Sequence, residues 1–143
     1  MTSETAARVL DPGLATLLAA YDAAFAADRA DAVAELFADD GRLQWPDEED
    51  IVGRGAIRQA FAEFVDTFHT VSWQPTYQVA EVHDDRAFLL GRFVELREVR
   101  RTGELERVPG RLVLVCRRET DGAWRITHAM TSRYGETTVE APA

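Results

Sequence analysis

The sequence predicts an α+β domain, three N-terminal helices followed by a curved, mostly antiparallel sheet. Two observations carry this. Apolar residues repeat at helical spacing as far as Phe68, and from Val71 the period shortens to that of strands. Three short polar turns then divide the remaining chain into four long runs, which is a meander rather than alternating βαβ units.

The first helix starts at Asp11-Pro12, where Asp can cap free N–H groups and Pro suits the first turn. Leu14, Leu17, Leu18, Tyr21 and Phe25 share one face of it. Asp28 is placed to cap a short second helix with Val33, Leu36 and Phe37 inward, ended by Asp39-Asp40-Gly41. Leu43-Gln44-Trp45 reads as a short strand stopped by Pro46, before a solvated acidic loop, Asp47 to Asp50. Ile57, Ala60, Phe61, Phe64, Val65 and Phe68 then make the third helix strongly amphipathic, with His69 at its end complementing the helix dipole. The strands run over roughly 72–83, 86–100, 105–118 and 123–134. Residues 1–10 and 137–143 read as loose tails around one domain, 11–136.

Composition narrows the function classes. The chain is 46% hydrophobic and 29% charged, with a net charge of -9. That charge opposes phosphate backbones and anionic membranes, so nucleic-acid and membrane partners are not expected. The single cysteine, Cys116, lies in an apolar run and reads as a small buried hydrophobe. There is no leader with a charged start and an apolar core, so a cytoplasmic setting is expected. The three histidines are scattered and Gly53-Arg54-Gly55 is not a phosphate loop, so neither metal nor cofactor is expected.

Several segments together resemble the NTF2-like (SnoaL-like) superfamily. They are the helix bearing Tyr21 and Phe25, Phe37-Ala38-Asp39-Asp40-Gly41, Gly53-Arg54-Gly55-Ala56-Ile57, and the closing Gly122-Ala123-Trp124-Arg125-Ile126-Thr127-His128. The resemblance covers about residues 12–134. It implies a cone, with a bent sheet wrapped around a helix, a pocket inside and frequent dimers through the outer sheet face. A narrower resemblance, to the small NTF2-like proteins of polyketide and enediyne antibiotic biosynthesis, implies a polyketide-derived ligand. Catalytic relatives commonly carry a carboxylate inside the pocket.

The turns suggest a register. Pairing His83 with Arg86 sets Tyr77 opposite Arg92, and pairing Arg118 with Trp124 sets Leu114 opposite His128. Matching apolar residues across the middle hairpin sets Arg92 opposite Leu114. The inner face then reads in rows: Val79, Leu90, Cys116 and Ile126; Tyr77, Arg92, Leu114 and His128; Pro75, Val94, Leu112 and Met130; Trp73, Leu96, Gly110 and Ser132. Its one carboxylate is Glu81, while Asp22 on the first helix reads as a surface residue. Val113, Val115, Thr127, Ala129 and Thr131 fall on the outer, dimer-forming face, rimmed by Arg111, Arg117, Arg125 and Arg133.

Tyr77, Arg92 and His128 are therefore the expected catalytic group, with His128 as base and the other two as oxyanion donors. Trp45, Trp73, Tyr21, Phe25, Phe61, Phe64, Met130 and Ser132 are the expected substrate-binding wall. Three functions stay open at this point. One is cofactor-free cyclisation, isomerisation or dehydration of a hydrophobic molecule. The second is non-catalytic ligand binding, and the third is a dimeric accessory protein of a biosynthetic pathway.

Overall fold

The computed structural model describes residues 11–140; the expected tail over 1–10 lies outside them. Helix α1 spans Pro12–Ala26, and the Asp11 carboxylate accepts the Leu14 N–H at 3.0 Å, as its capping role requires. The α1 face with Leu14, Leu17, Leu18 and Tyr21 is buried. Helix α2, Ala30–Ala34, is short, and Arg29 stands at its cap without a side-chain bond. Asp28 is not that cap. Its backbone turns into the left-handed region (φ 58°), and its carboxylate instead receives His69 Nδ1 at 2.6 Å and the Thr70 N–H at 3.0 Å.

Strand β1 spans Phe37–Gln44 and β2 spans Ile51–Val52. The segment Asp39-Asp40-Gly41 thus lies within a strand rather than closing a helix. Its register breaks between Phe37 and Arg42, where β1 runs parallel to β6, Trp124–Arg133. Helix α3, Arg54–Thr67, buries Ile57 and Phe61. It stops at Phe68, so His69 belongs to β3, Phe68–His83. Strands β4, Arg86–Val99, and β5, Leu105–Arg118, complete the meander. The sheet order is β2-β1-β6-β5-β4-β3. The 137–143 segment is not wholly a tail: Thr138–Glu140 forms β7, antiparallel to Leu105–Arg107 of β5.

The expected hairpin ends are present, with His83 opposite Arg86 and Arg118 opposite Trp124. The interior register differs, for three local reasons. A bulge between Tyr77 and Val79 sets Tyr77 opposite Gly91. The β4–β5 turn closes tightly, with Val99 N–H on Glu104 O at 2.8 Å, and this sets Arg92 opposite Arg111 rather than Leu114. A second bulge, at Thr127, sets His128 opposite Val115 and Leu114 opposite Ala129. Each extra residue reverses the faces beyond it and bends the strand.

On β4 the inward side chains are Ala87, Leu89, Phe93 and Glu95, while Leu90, Arg92, Val94 and Leu96 point outward. On β6, Ala129 is buried, and His128 and Met130 face outward. Cys116, Leu114, Leu112, Ile126, Tyr77 and Trp73 do pack on the inner side. The core lies between this concave face and the three helices.

Candidate active site

A cavity of about 410 Å³ opens in the concave face. Helix α1 supplies Tyr21 and Phe25, α3 supplies Phe64, and the end of β1 leads into Trp45. Strand β3 contributes Phe68 and Trp73, β4 contributes Phe93, Glu95 and Arg97, and β6 contributes Thr131, Ser132 and Arg133. The rings are contiguous: Phe25 lies 4.6 Å from Trp73, Trp73 lies 4.8 Å from Phe93, and Phe64 lies 5.1 Å from Phe68. Gly110 makes room for this floor, since a Cβ there would meet Phe93 Cζ at 2.2 Å.

Six of the expected wall residues line the cavity: Trp45, Trp73, Tyr21, Phe25, Phe64 and Ser132. Phe61 sits behind it, buried in the core and edge-on to Trp45 at 5.2 Å. Met130 is on the opposite face, 44% exposed. The expected catalytic row does not assemble. His128 is exposed on the outer face, with Nδ1 3.2 Å from Thr127 Oγ1. Arg92 is half-buried on that face, 4.7 Å from the Tyr134 ring. Tyr77 points inward and is buried, but it does not reach the cavity wall; its hydroxyl has no partner, and burial raises its pKa. The outer face also differs from expectation. Val113 and Val115 are there, alongside Phe88 and Leu90, whereas Thr127 and Ala129 are buried and Thr131 lines the cavity.

The buried carboxyl in the cavity wall is Glu95, only 4% exposed. Glu81, the inner carboxylate expected from the sequence, is exposed near the β3 end. One Glu95 oxygen lies 3.5 Å from an Arg97 nitrogen, and Oε2 has no partner. Arg97 is engaged elsewhere: Nε donates to Glu106 at 2.9 Å, and its guanidinium lies 4.0 Å over the Phe68 ring. Burial pushes the Glu95 carboxyl up to about 7; Arg97 pulls it part of the way back, and Glu106 and Asp28 add to the rise. Both protonation states are therefore populated near neutral pH, as a group that gives and takes protons requires.

Asp22 is half-buried rather than on the surface, and it accepts Trp73 Nε1 at 2.9 Å. Burial raises its carboxyl, an effect only partly offset by that bond. It holds the Trp73 ring in place from behind. Among the described residues no His, Cys, Asp and Glu group is arranged to hold a metal ion. Cys116 is buried, and burial raises its thiol to about 12, the state of an inert core thiol. The sequence signal for Glu95 is a single acid inside the apolar run Phe88 to Leu96. Placing it inward needs the true register.

A curved mixed sheet around helices, with a cavity in its concave face, is the architecture of NTF2-like proteins. The SnoaL-like domain model matches residues 18–128, and the chain belongs to that family. A ketosteroid isomerase-like protein from Erwinia carotovora atroseptica shares the fold at a TM-score of 0.78 and 20% identity, over 85% of this chain and 94% of that one. A protein from Novosphingobium aromaticivorans, named as a scytalone dehydratase candidate, aligns with a TM-score of 0.76 and 16% identity, over 91% and 90% of the two chains. An NTF2-like protein with a cystatin-like fold, also from Novosphingobium aromaticivorans, aligns at 0.66 and 20%, over 85% and 79%. At these identities the likeness concerns the fold. No curated protein matches the chain in sequence. No helix among the described residues is long and apolar enough to cross a membrane.

Proposed function

We propose that the chain binds a flat, largely hydrophobic small molecule in the cone cavity and exchanges a proton with it through Glu95. The observation that carries this is a buried, near-neutral carboxyl in the wall of an aromatic cavity, with one of its two oxygens unsatisfied. A polar oxygen buried without a partner costs about 1–3 kcal/mol, a cost that a ligand donor would relieve. The reaction class is cofactor-free isomerisation, dehydration or cyclisation, on a ring system of the polyketide-derived kind. The names of two structural relatives, isomerase-like and dehydratase, lie within that class. Arg97, one of two arginines in the cavity wall and the one beside Glu95, supports charge developing on a ligand oxygen.

The test is enolisation. In D₂O, 2-tetralone serves as a flat ketone, and exchange at its α-carbon is followed by NMR. The protein is expected to speed exchange, and Glu95→Gln to abolish at least ~99% of the gain, the lower end of what acid–base catalysis supplies. Equal exchange by both proteins removes the catalytic half and leaves ligand binding.

A second reading, a non-catalytic ligand-binding or accessory protein working as a cytoplasmic homodimer, is favoured by the outer sheet face. Phe88 and Leu90 are each 45% exposed there and Met130 44%, beside Val113 and Val115. Such a strip suits a second copy of the chain. Sedimentation showing monomer at micromolar concentration would remove the dimer.

A further inference from the structure

The geometry points to a cationic ligand: a ring-bearing amine whose ring stacks on Trp73 and Phe93 and whose ammonium pairs with the Glu95 carboxylate. This rests on the reading that the cavity is the ligand site, and it adds the ligand's charge.

Three observations support it. The first is the charge balance of the wall. Its two arginines are already compensated, Arg97 by Glu106 at 2.9 Å and Arg133 by an ion pair with Asp47. Its carboxylates, Glu95 and the exposed Glu48 and Glu63, have no such compensation: Glu95 stands 3.5 Å from an arginine already held elsewhere, and Glu48 and Glu63 have no ion-pair partner among the described residues. An anion entering this wall meets net negative charge. The second is the rings. Aromatic faces attract cations, and one face in this cavity already does so, with the Arg97 guanidinium 4.0 Å over Phe68. The third is the buried carboxyl in the wall, one oxygen of which is enclosed and unsatisfied. Glu95 is 96% buried by its 4% exposure, and Oε2 has no donor. A carboxylate oxygen accepts only, so the partner that satisfies it brings an N–H or O–H. An ammonium brings both the donor and the opposite charge.

The neighbours of Glu95 fit this role. The charged groups near it are Arg97 on its own strand, Glu106 on β5 and Asp28 at the α1–α2 turn, with the Tyr21 phenol on α1. Burial is the main cause that raises the Glu95 carboxyl, and two of these four, the carboxylates Glu106 and Asp28, add to the rise. A bound ammonium reverses this and holds Glu95 as carboxylate, the form able to accept a proton.

The test compares three ligands of nearly one shape by titration calorimetry: 2-(1-naphthyl)ethylamine, 1-ethylnaphthalene and 1-naphthylacetate. At pH 8 the amine is expected to bind at least tenfold more tightly than the neutral compound, and the anion most weakly. At pH 5.5 the preference of the amine over the neutral compound should fall below threefold, because Glu95 is then protonated. Glu95→Gln should abolish the preference at pH 8 while its affinity for 1-ethylnaphthalene stays within twofold, which also shows the variant folded. If that variant does not fold, the pH dependence of the unsubstituted protein decides alone. Equal or tighter binding of the neutral compound or the anion at pH 8 overturns the amine and leaves the cavity reading standing. Binding by none of the three overturns both.

Discussion

Replacing Glu95 by Gln removes the one carboxyl that the fold holds at about 7 instead of its ordinary 4.5. The shape is kept and the charge is lost. In the unfolded chain Glu95 ionises near 4.5; in the folded chain it resists until about 7. The neutral form is therefore the one the fold favours. Its contribution is complete below the unfolded value and is lost as pH rises through the folded one. A gap of roughly 2.5 units at ~1.4 kcal/mol per unit makes the loss about 3 kcal/mol between pH 4.5 and 8. Gln cannot ionise and escapes that loss. The stability of Glu95→Gln minus that of the unsubstituted protein should therefore rise by about 3 kcal/mol over this range. Urea unfolding followed by tryptophan fluorescence at pH 4.5, 6 and 8 measures it, and the difference cancels groups common to both proteins. Parallel stability curves would refute the burial of an ionisable Glu95, and with it the proposed site.

Other outcomes follow from single contacts. Gly110→Ala forces its new methyl against the Phe93 ring, where 2.2 Å is available, and overpacking of this kind costs about 1–3 kcal/mol in urea unfolding. Asp28→Asn weakens acceptance from His69 and the Thr70 N–H and should cost about 1–3 kcal/mol at pH 7, measured in the same way. Burial raises the Asp28 carboxyl, but those hydrogen bonds outweigh it and the net position is below the ordinary value. Its contribution is thus present above the unfolded value of 3.8 and lost as pH falls through the folded one, so the Asn variant's deficit should shrink below about pH 4. His128→Ala, on the outer face, should change the affinity for a cavity ligand less than twofold by calorimetry; a large loss would return His128 to the site.

Much of the architecture was legible in local signals. Asp11-Pro12 marks the start of α1, and the apolar stripe of Ile57, Phe61 and Phe64 marks α3. Both outer hairpins close on the expected pairs, because polar turns leave few alternatives. Most of the aromatic wall was also legible, since large rings on helix faces and near strand ends point to the core and to the cavity continuous with it. The polar group that joins this wall, Glu95, was not. On β4 both faces are apolar, with Ala87, Leu89 and Phe93 on one and Phe88, Leu90, Val94 and Leu96 on the other. Periodicity cannot choose between them.

By itself, then, the sequence determined α1, α3 and the four long strands, where the outer hairpins turn, and that aromatic rings face the interior; it did not show that Phe37–Gln44 is a strand or that Thr138–Glu140 pairs with β5. Tertiary structure decided which polar groups join those rings. The bulge at Thr127 turned His128 outward, and the tight closure between Val99 and Glu104 turned Arg92 outward and Glu95 inward. The physical reason is the two-residue period of a strand. One extra residue, set by backbone bonding elsewhere in the sheet, exchanges every side chain beyond it between solvent and cavity.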